Sequence, residues 1–242
     1  MTIIMFLLTL SVHKKTGMGK CEQCIVRKFN SLNVLKKEDL IEISNCKESQ
    51  IVKKGEIIFE EGEALNGVYC VRDGVCKLSK LSVNGKEQIL KLAFKGDMLG
   101  QRSLLGNERS NLKAVAVNDM QICFIPKQNV IGNLNKNITF SLDIMKQMAH
   151  DLKDADNTIV NMAQKTVKKR LADTLIYIYK NFGVDEKNYL KIVLSREDYA
   201  NIVGTATESA IRIFSKFKKD GLIRISGKQI GILDLEGLRR IE

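Results

Sequence analysis

The stretch from residue 194 to residue 233, LSREDYANIVGTATESAIRIFSKFKKDGLIRISGKQIGIL, permits few folds, because capping residues and glycines cut it into two short helices and a hairpin. Ser195 followed three residues on by Asp198 is an N-terminal capping pattern, and Tyr199, Ala200 and Val203 form the apolar side of the helix it opens. Gly204 ends that helix as a left-handed C-terminal residue does. Thr205 and Glu208 repeat the capping pattern. Ala210, Ile213, Phe214 and Phe217 then recur on one helical face, which predicts a buried stripe. Asp220-Gly221 closes the second helix, and residues 222–225 and 230–233 are predicted to pair across residues 226–229. Helix, tight turn, helix and hairpin make a winged helix-turn-helix.

The second helix carries Thr207, Glu208, Ile211, Arg212 and Ser215 on the face away from its apolar stripe. A recognition helix meets base edges in the major groove with such groups. The Arg212 fork suits guanine, and Glu208 suits the amino group of cytosine. Lys216, Lys218, Lys219 and, on the wing, Lys228 are assigned to phosphates, which set position and affinity without reading sequence. A helix-turn-helix that serves protein contact is the competing use of the same pattern.

Charge agrees with the first use. Residues 164–242 hold 16 Lys and Arg against 10 Asp and Glu, a net of +6, whereas the preceding 163 residues hold 23 against 18, a net of +5. The net charge of +11 is therefore densest where the helix-turn-helix lies, as a nucleic-acid footprint requires. The two histidines, His13 and His150, have no acid-base or nucleophilic grouping beside them in sequence, so no enzyme centre is expected. Six cysteines and no long apolar run beyond the first ten residues, where Ile3 to Leu10 is too short to span a bilayer, argue for a cytoplasmic protein with free or metal-bound thiols and no membrane partner. Residues 1–19 are expected to be a leader, disordered or an over-extended start, since Met18 begins an equally good frame.

Between these ends the period changes twice. Residues 34–43 read as a short helix with Leu35, Leu40 and Ile43 inside. From Ile51 onward, Asp73-Gly74, Asn84-Gly85 and further glycine turns punctuate alternating strands as far as residues 112–126, which read as one strand. The fold expected is α+β, an antiparallel, jelly-roll-like β-roll serving as sensor over residues 20–135. After Pro126, Leu142, Met145, Ala149, Leu152, Ile159 and Met162 recur as a narrow seam, so residues 136–163 are expected to be a long dimerisation helix of a homodimer, with Asp156 an awkward charge on the seam. Residues 164–242 complete the DNA-binding domain.

The segments KKGEIIFEEGE (53–63), GVYCVRDGVCKL (67–78) and FKGDMLG (94–100), followed by the seam helix and the helix-turn-helix, resemble the Crp-Fnr family of dimeric bacterial transcription regulators. The resemblance implies binding to a double-stranded DNA palindrome, contact with RNA polymerase, and switching by an effector in the roll. It places the family's base-reading Glu and Arg on Glu208 and Arg212, with Thr207 where cyclic-AMP-responsive members carry arginine. It also implies an effector pocket at Gly100, Gln101, Arg102, Arg109 and Ser110. Gln101 stands there in place of the ribose-binding glutamate, which disfavours a cyclic nucleotide. Oxygen-sensing members hold an iron-sulfur cluster on four cysteines. Cys21, Cys24 and Cys123 match three of them, and Asn30 stands at the remaining position, so a cluster would lack one ligand. Cys21 and Cys24 equally suit zinc or a redox disulfide. Cys46 could substitute for the missing thiol, while Cys70 and Cys76 are expected to be small buried apolar groups. The effector's identity stays open.

Overall fold

The computed structural model describes residues 19–242, so the expected leader lies outside the described residues apart from Gly19. The described chain opens with one-turn 3-10 segments at Cys21–Gln23, Ile25–Phe29 and Ser31–Val34, followed by α1, Lys37–Cys46. The short helix thus begins later than its apolar pattern suggested. Leu35 belongs to the approach, and Leu40 and Ile43 lie on the buried side of α1.

Two antiparallel four-stranded sheets form the roll. One runs β1-β8-β3-β6 and the other β2-β7-β4-β5. Their strands are β1 Glu48–Val52, β2 Ile57–Phe59, β3 Gly67–Asp73, β4 Val75–Leu81, β5 Glu87–Phe94, β6 Met98–Leu99, β7 Lys113–Ala116 and β8 Met120–Pro126. Gly74 has φ +87 and sits so close to the Asp119 carbonyl that a Cβ would lie 2.7 Å from its oxygen, so only glycine makes this turn. The single strand expected over residues 112–126 is two, β7 and β8, in different sheets. The Asn118 side chain between them accepts a 2.7 Å hydrogen bond from the Val75 amide and fixes the corner. A helical turn, α2 (Gln101–Gly106), follows β6.

Pro126 starts α3, Lys127–Lys136, which the seam pattern did not announce. Asn137 then caps α4, Ile138–Gln164, through its side chain. Leu142, Met145, Leu152 and Ile159 stand 51–67% exposed along α4, an apolar stripe with nothing from its own chain upon it. The winged-helix part comprises α5 Val167–Phe182, α6 Arg196–Val203, α7 Thr207–Lys219, strands β9 Ile223–Ser226 and β10 Gln229–Ile232, and α8 Leu235–Arg239.

Its core is not its own. One continuous apolar cluster joins Val75, Ile89 and Leu92 of the roll to Leu171, Leu175, Tyr199, Val203 and Phe214 of the winged helix. Phe94 of β5 meets Phe182 of α5 edge to face at 5.1 Å. The β4-β5 edge of the roll is the floor on which α6 rests.

Candidate nucleic-acid interface and cysteine-lined cavity

Ser195 and Asp198 form the full capping box at the start of α6, and Gly204 ends it at φ +68. The second capping pattern does not form. The Thr205 amide donates to the Ala200 carbonyl and closes α6, so Ala206 becomes the N-cap of α7 and has no side chain to offer. Ala210, Phe214 and Phe217 are buried, and Ile213 is partly buried against the same cluster.

On the outward side, Glu208, Ile211, Arg212, Ser215, Lys216, Lys218 and Lys219 are exposed and Thr207 is half-buried. Arg212 donates to the Ser209 hydroxyl at 3.1 Å, one helical turn away, and leaves its fork at the surface. The wing turn contracts to Gly227-Lys228, because the strands extend to Ser226 and Gln229, and Lys228 lies exposed at the tip. Between α7 and the wing runs a cleft of about 500 Å³ lined by Arg196, Ile211, Phe214, Ser215, Lys218, Lys219 and Ile225.

Arg196 is a cleft residue that the sequence reading passed over. Its guanidinium lies over the Phe214 ring at 4.6 Å and donates to the Gly227 carbonyl, while its Nη1 is buried without a hydrogen-bond partner. Burial holds its pKa below the usual arginine range. The available signal was its place: a cation in the first turn of α6 opposes the helix dipole, so it serves something other than helix stability.

The five residues at the expected effector site are differently engaged. Gly100 adopts φ +84 ahead of α2, Gln101 is half-buried and Arg102 exposed. Arg109 donates to the Gly62 carbonyl at 2.9 Å, and the Ser110 hydroxyl donates to the Leu112 carbonyl at 2.7 Å. Both are thereby tied to the two loops that meet at one end of the antiparallel β2–β7 pair.

The cysteines converge. Cys21, Cys24, Cys70 and Cys123 line one cavity together with Arg27, Leu32, Lys47, Arg72 and Ile125. Cys70 and Cys123 face each other across the β3–β8 pair. Asn30 donates to the Cys70 sulfur at 3.3 Å, while its Oδ1 accepts from the Leu32 amide. Cys70 is thus buried as expected, but among thiols rather than hydrocarbon alone, and burial, with the neighbouring sulfurs Cys123 and Cys24, pushes its pKa up to about 12. Cys46 lies exposed at the end of α1, away from the cavity, and Cys76 is buried in the separate core between the sheets. Among the described residues, no three His, Cys, Asp or Glu side chains come close enough to hold a single metal ion. The donor set nevertheless fits a cluster: it has soft sulfur ligands, three nearby cations, and a buried Arg72 Nη1 with no partner.

The chain matches the cyclic nucleotide-binding domain over residues 49–137 and the Crp-like helix-turn-helix domain over residues 169–241. It is 29% identical over 206 residues to the transcriptional activator protein Anr of Pseudomonas protegens, across 84% of this chain and 83% of that one. To the fumarate and nitrate reduction regulatory protein of Escherichia coli it is 24% identical over 225 residues, across 91% and 89%. Among solved structures, FixK2 from Bradyrhizobium japonicum aligns with a TM-score of 0.72 at 22% identity, over 81% of this chain and 97% of that one. A Crp/Fnr-family protein from Eubacterium rectale gives 0.72 at 26% identity, over 86% and 95%.

Proposed function

The chain is a member of the Crp-Fnr family of transcription regulators, and we propose that it acts in the cytoplasm as a homodimer that reads a DNA palindrome and meets RNA polymerase there. The observation that carries this reading is the outward face of α7. Glu208 and Arg212 stand one turn apart, exposed, beside a cleft whose walls are Arg196, Lys218 and Lys219. Base-reading groups flanked by phosphate-binding cations are what a recognition helix in a major groove requires.

The bare seam on α4 supports the dimer. Apolar groups at coiled-coil spacing bury themselves only against a second helix, and two copies about a two-fold axis would present two recognition helices to two half-sites. No helix among the described residues is long and apolar enough to cross a membrane. The relatives bear the names of an activator and of a fumarate and nitrate reduction regulator, and control of transcription comes to this chain on that likeness.

Selection from a pool of palindromic duplexes, followed by fluorescence anisotropy at two salt concentrations, tests the reading. The expected result is steeply salt-dependent binding to one preferred palindrome. Arg212→Ala should weaken that palindrome by about tenfold or more while leaving unrelated DNA unchanged. Binding that is indifferent to sequence, or to Arg212→Ala, would overturn it.

A further inference from the structure

The cavity under the N-terminal turns brings together four thiols from three distant parts of the sequence. Cys21 and Cys24 come from the 3-10 turns, Cys70 from β3 and Cys123 from β8. The first two are placed by local backbone, since the Cys24 amide donates to the Cys21 carbonyl. The Cys21 amide in turn donates to Ser44 of α1, which ties this turn to the helix. The last two are placed by sheet register, which sets Cys70 directly opposite Cys123 on adjoining strands. The Ser49 hydroxyl and Cys123 sulfur are 3.6 Å apart on the β1 side. Asn30, six residues after Cys24, reaches into the same space and bonds to the Cys70 sulfur.

The surroundings favour negative charge. Arg27, Lys47 and Arg72 line the cavity, and the Arg72 Nη1 is buried without a partner in a fold that otherwise pairs nearly all its buried side-chain polar atoms. A buried guanidinium nitrogen without a partner, on a residue that lines the same cavity as four sulfurs, fits an anionic occupant. The spacing argues about size. Around one zinc ion, with Zn–S bonds of about 2.3 Å, tetrahedral sulfurs lie only about 3.8 Å apart. No three described side chains converge as a single ion requires. Four thiols on one cavity that do not converge on a single point match an occupant that brings several metal centres, each bound to a different cysteine.

We propose that Cys70 is the ligand that replaces the thiol absent at Asn30, so that Cys21, Cys24, Cys70 and Cys123 hold an iron-sulfur cluster as a four-thiolate set. Bound in this way, the cluster would be held by four thiolates, each cysteine having given its proton to solvent. Its irons would be supplied as a mixture of ferrous and ferric ions with inorganic sulfide, so that no separate oxidant is needed. The free volume of about 20 Å³ is smaller than a cluster, so holding one would require the lining of the cavity to open. Asn30, which donates to the Cys70 sulfur here, would have to release it for that sulfur to bind iron. The proposal deepens the regulator reading by naming what the roll responds to, but its chemistry stands without DNA binding.

The test is anaerobic reconstitution of the full chain with ferrous and ferric iron and sulfide, read by iron and sulfide content, visible absorbance and Mössbauer spectra. The wild type should take up about four irons per chain. Cys70→Ser and Cys70→Ala should retain less than about a tenth of that as the intact cluster, whereas Cys76→Ser should match the wild type. Asn30→Cys in the Cys70→Ser background should restore iron and sulfide, which a merely misfolded Cys70 variant could not do. Full cluster content in both Cys70 variants overturns the proposal, as does a wild type that takes up only one zinc or no metal. Palindrome binding by the same preparations is scored separately, so the regulator reading and the cluster assignment can fail independently.

Discussion

Lys77 Nζ lies 2.8 Å from Asp198 Oδ1, and Asp198 Oδ2 accepts from the Ser195 amide and hydroxyl at 3.0 and 2.7 Å. The carboxylate that starts the first helix of the helix-turn-helix is therefore held by a lysine of the roll 121 residues away. Glu87 closes the group, 3.0 Å from Lys77 and accepting from Asn201. Gln88 adds a bond to the Ile202 carbonyl. All three ionic side chains are mostly buried, at 17–23% exposure.

Replacing Lys77 by methionine keeps the stem and removes the charge, leaving two carboxylates facing each other in a half-dry interface. The expected loss is about 2 kcal/mol, between the values for exposed and fully buried pairs. Urea unfolding measures it, and a double-mutant cycle with Asp198→Asn separates the pair from the lost cap. A coupling energy near zero would show that the cap alone matters.

The same group predicts how stability depends on pH. Burial works to raise Glu87 and Asp198, but hydrogen bonds outweigh it: Ser79 and Lys77 for the first, Lys77 and Ser195 for the second. Both end below the usual carboxylate range. Their contribution is complete above about pH 4 and is lost as pH falls through the lowered folded values. Burial works to lower Lys77, and the bonds to Asp198 and Glu87 outweigh it, so its contribution holds at neutral pH and is lost only as pH rises through a value above the usual lysine range. The melting-temperature gap between wild type and Lys77→Met should be flat at neutral pH and close at both extremes. A gap that persists in strong acid would point to packing by the lysine stem.

On DNA, Lys218→Ala and Arg196→Ala should weaken all sequences about equally and lower the salt slope by about one each, whereas Glu208→Ala should relax discrimination at one base pair. Anisotropy on cognate and scrambled duplexes distinguishes the two patterns. A uniform loss from all three variants would remove the division between reading and anchoring.

Gly67 and Gly204 should respond differently to alanine. A Cβ on Gly67 would lie 2.2 Å from the Ile125 carbonyl oxygen across the β3–β8 pair, a backbone clash expected to cost about 3 kcal/mol. At Gly204 the nearest atoms, of Gln88 and Met162, are 3.4 Å away, so the cost is mainly that of φ +68, about 1 kcal/mol. Chemical denaturation of the two variants gives the order directly.

Local signals carried the sequence reading where a single stretch of chain decides the structure. Ser195, Asp198 and Gly204 bound their helix because cap and stop depend on immediate neighbours. Thr205 misled because the choice between capping α7 and closing α6 turns on which carbonyl its amide reaches. Alternation marked Cys70 as an inward residue of a strand. That its neighbours would be Cys123, Cys21 and Cys24 depends on strand register and on how the N-terminal turns fold back, and neither is written in the spacing. Arg196 and Lys77 were passed over for the same reason: what each touches is distant in sequence.

Arg170 is where the seam helix and the helix-turn-helix are fastened. Its guanidinium donates to the carbonyls of Met162 and Lys165 at the end of α4 and to that of Val203 at the end of α6. Two helix C-termini, each carrying partial negative charge, share one cation. The joint after α4 therefore has no slack. A small rotation of the long helix must either carry α6, and α7 behind it, through the same angle, or break charge-assisted bonds first. The chain is geared at this residue, and the stiffness of that gear sets how much of any movement in the roll arrives at the DNA.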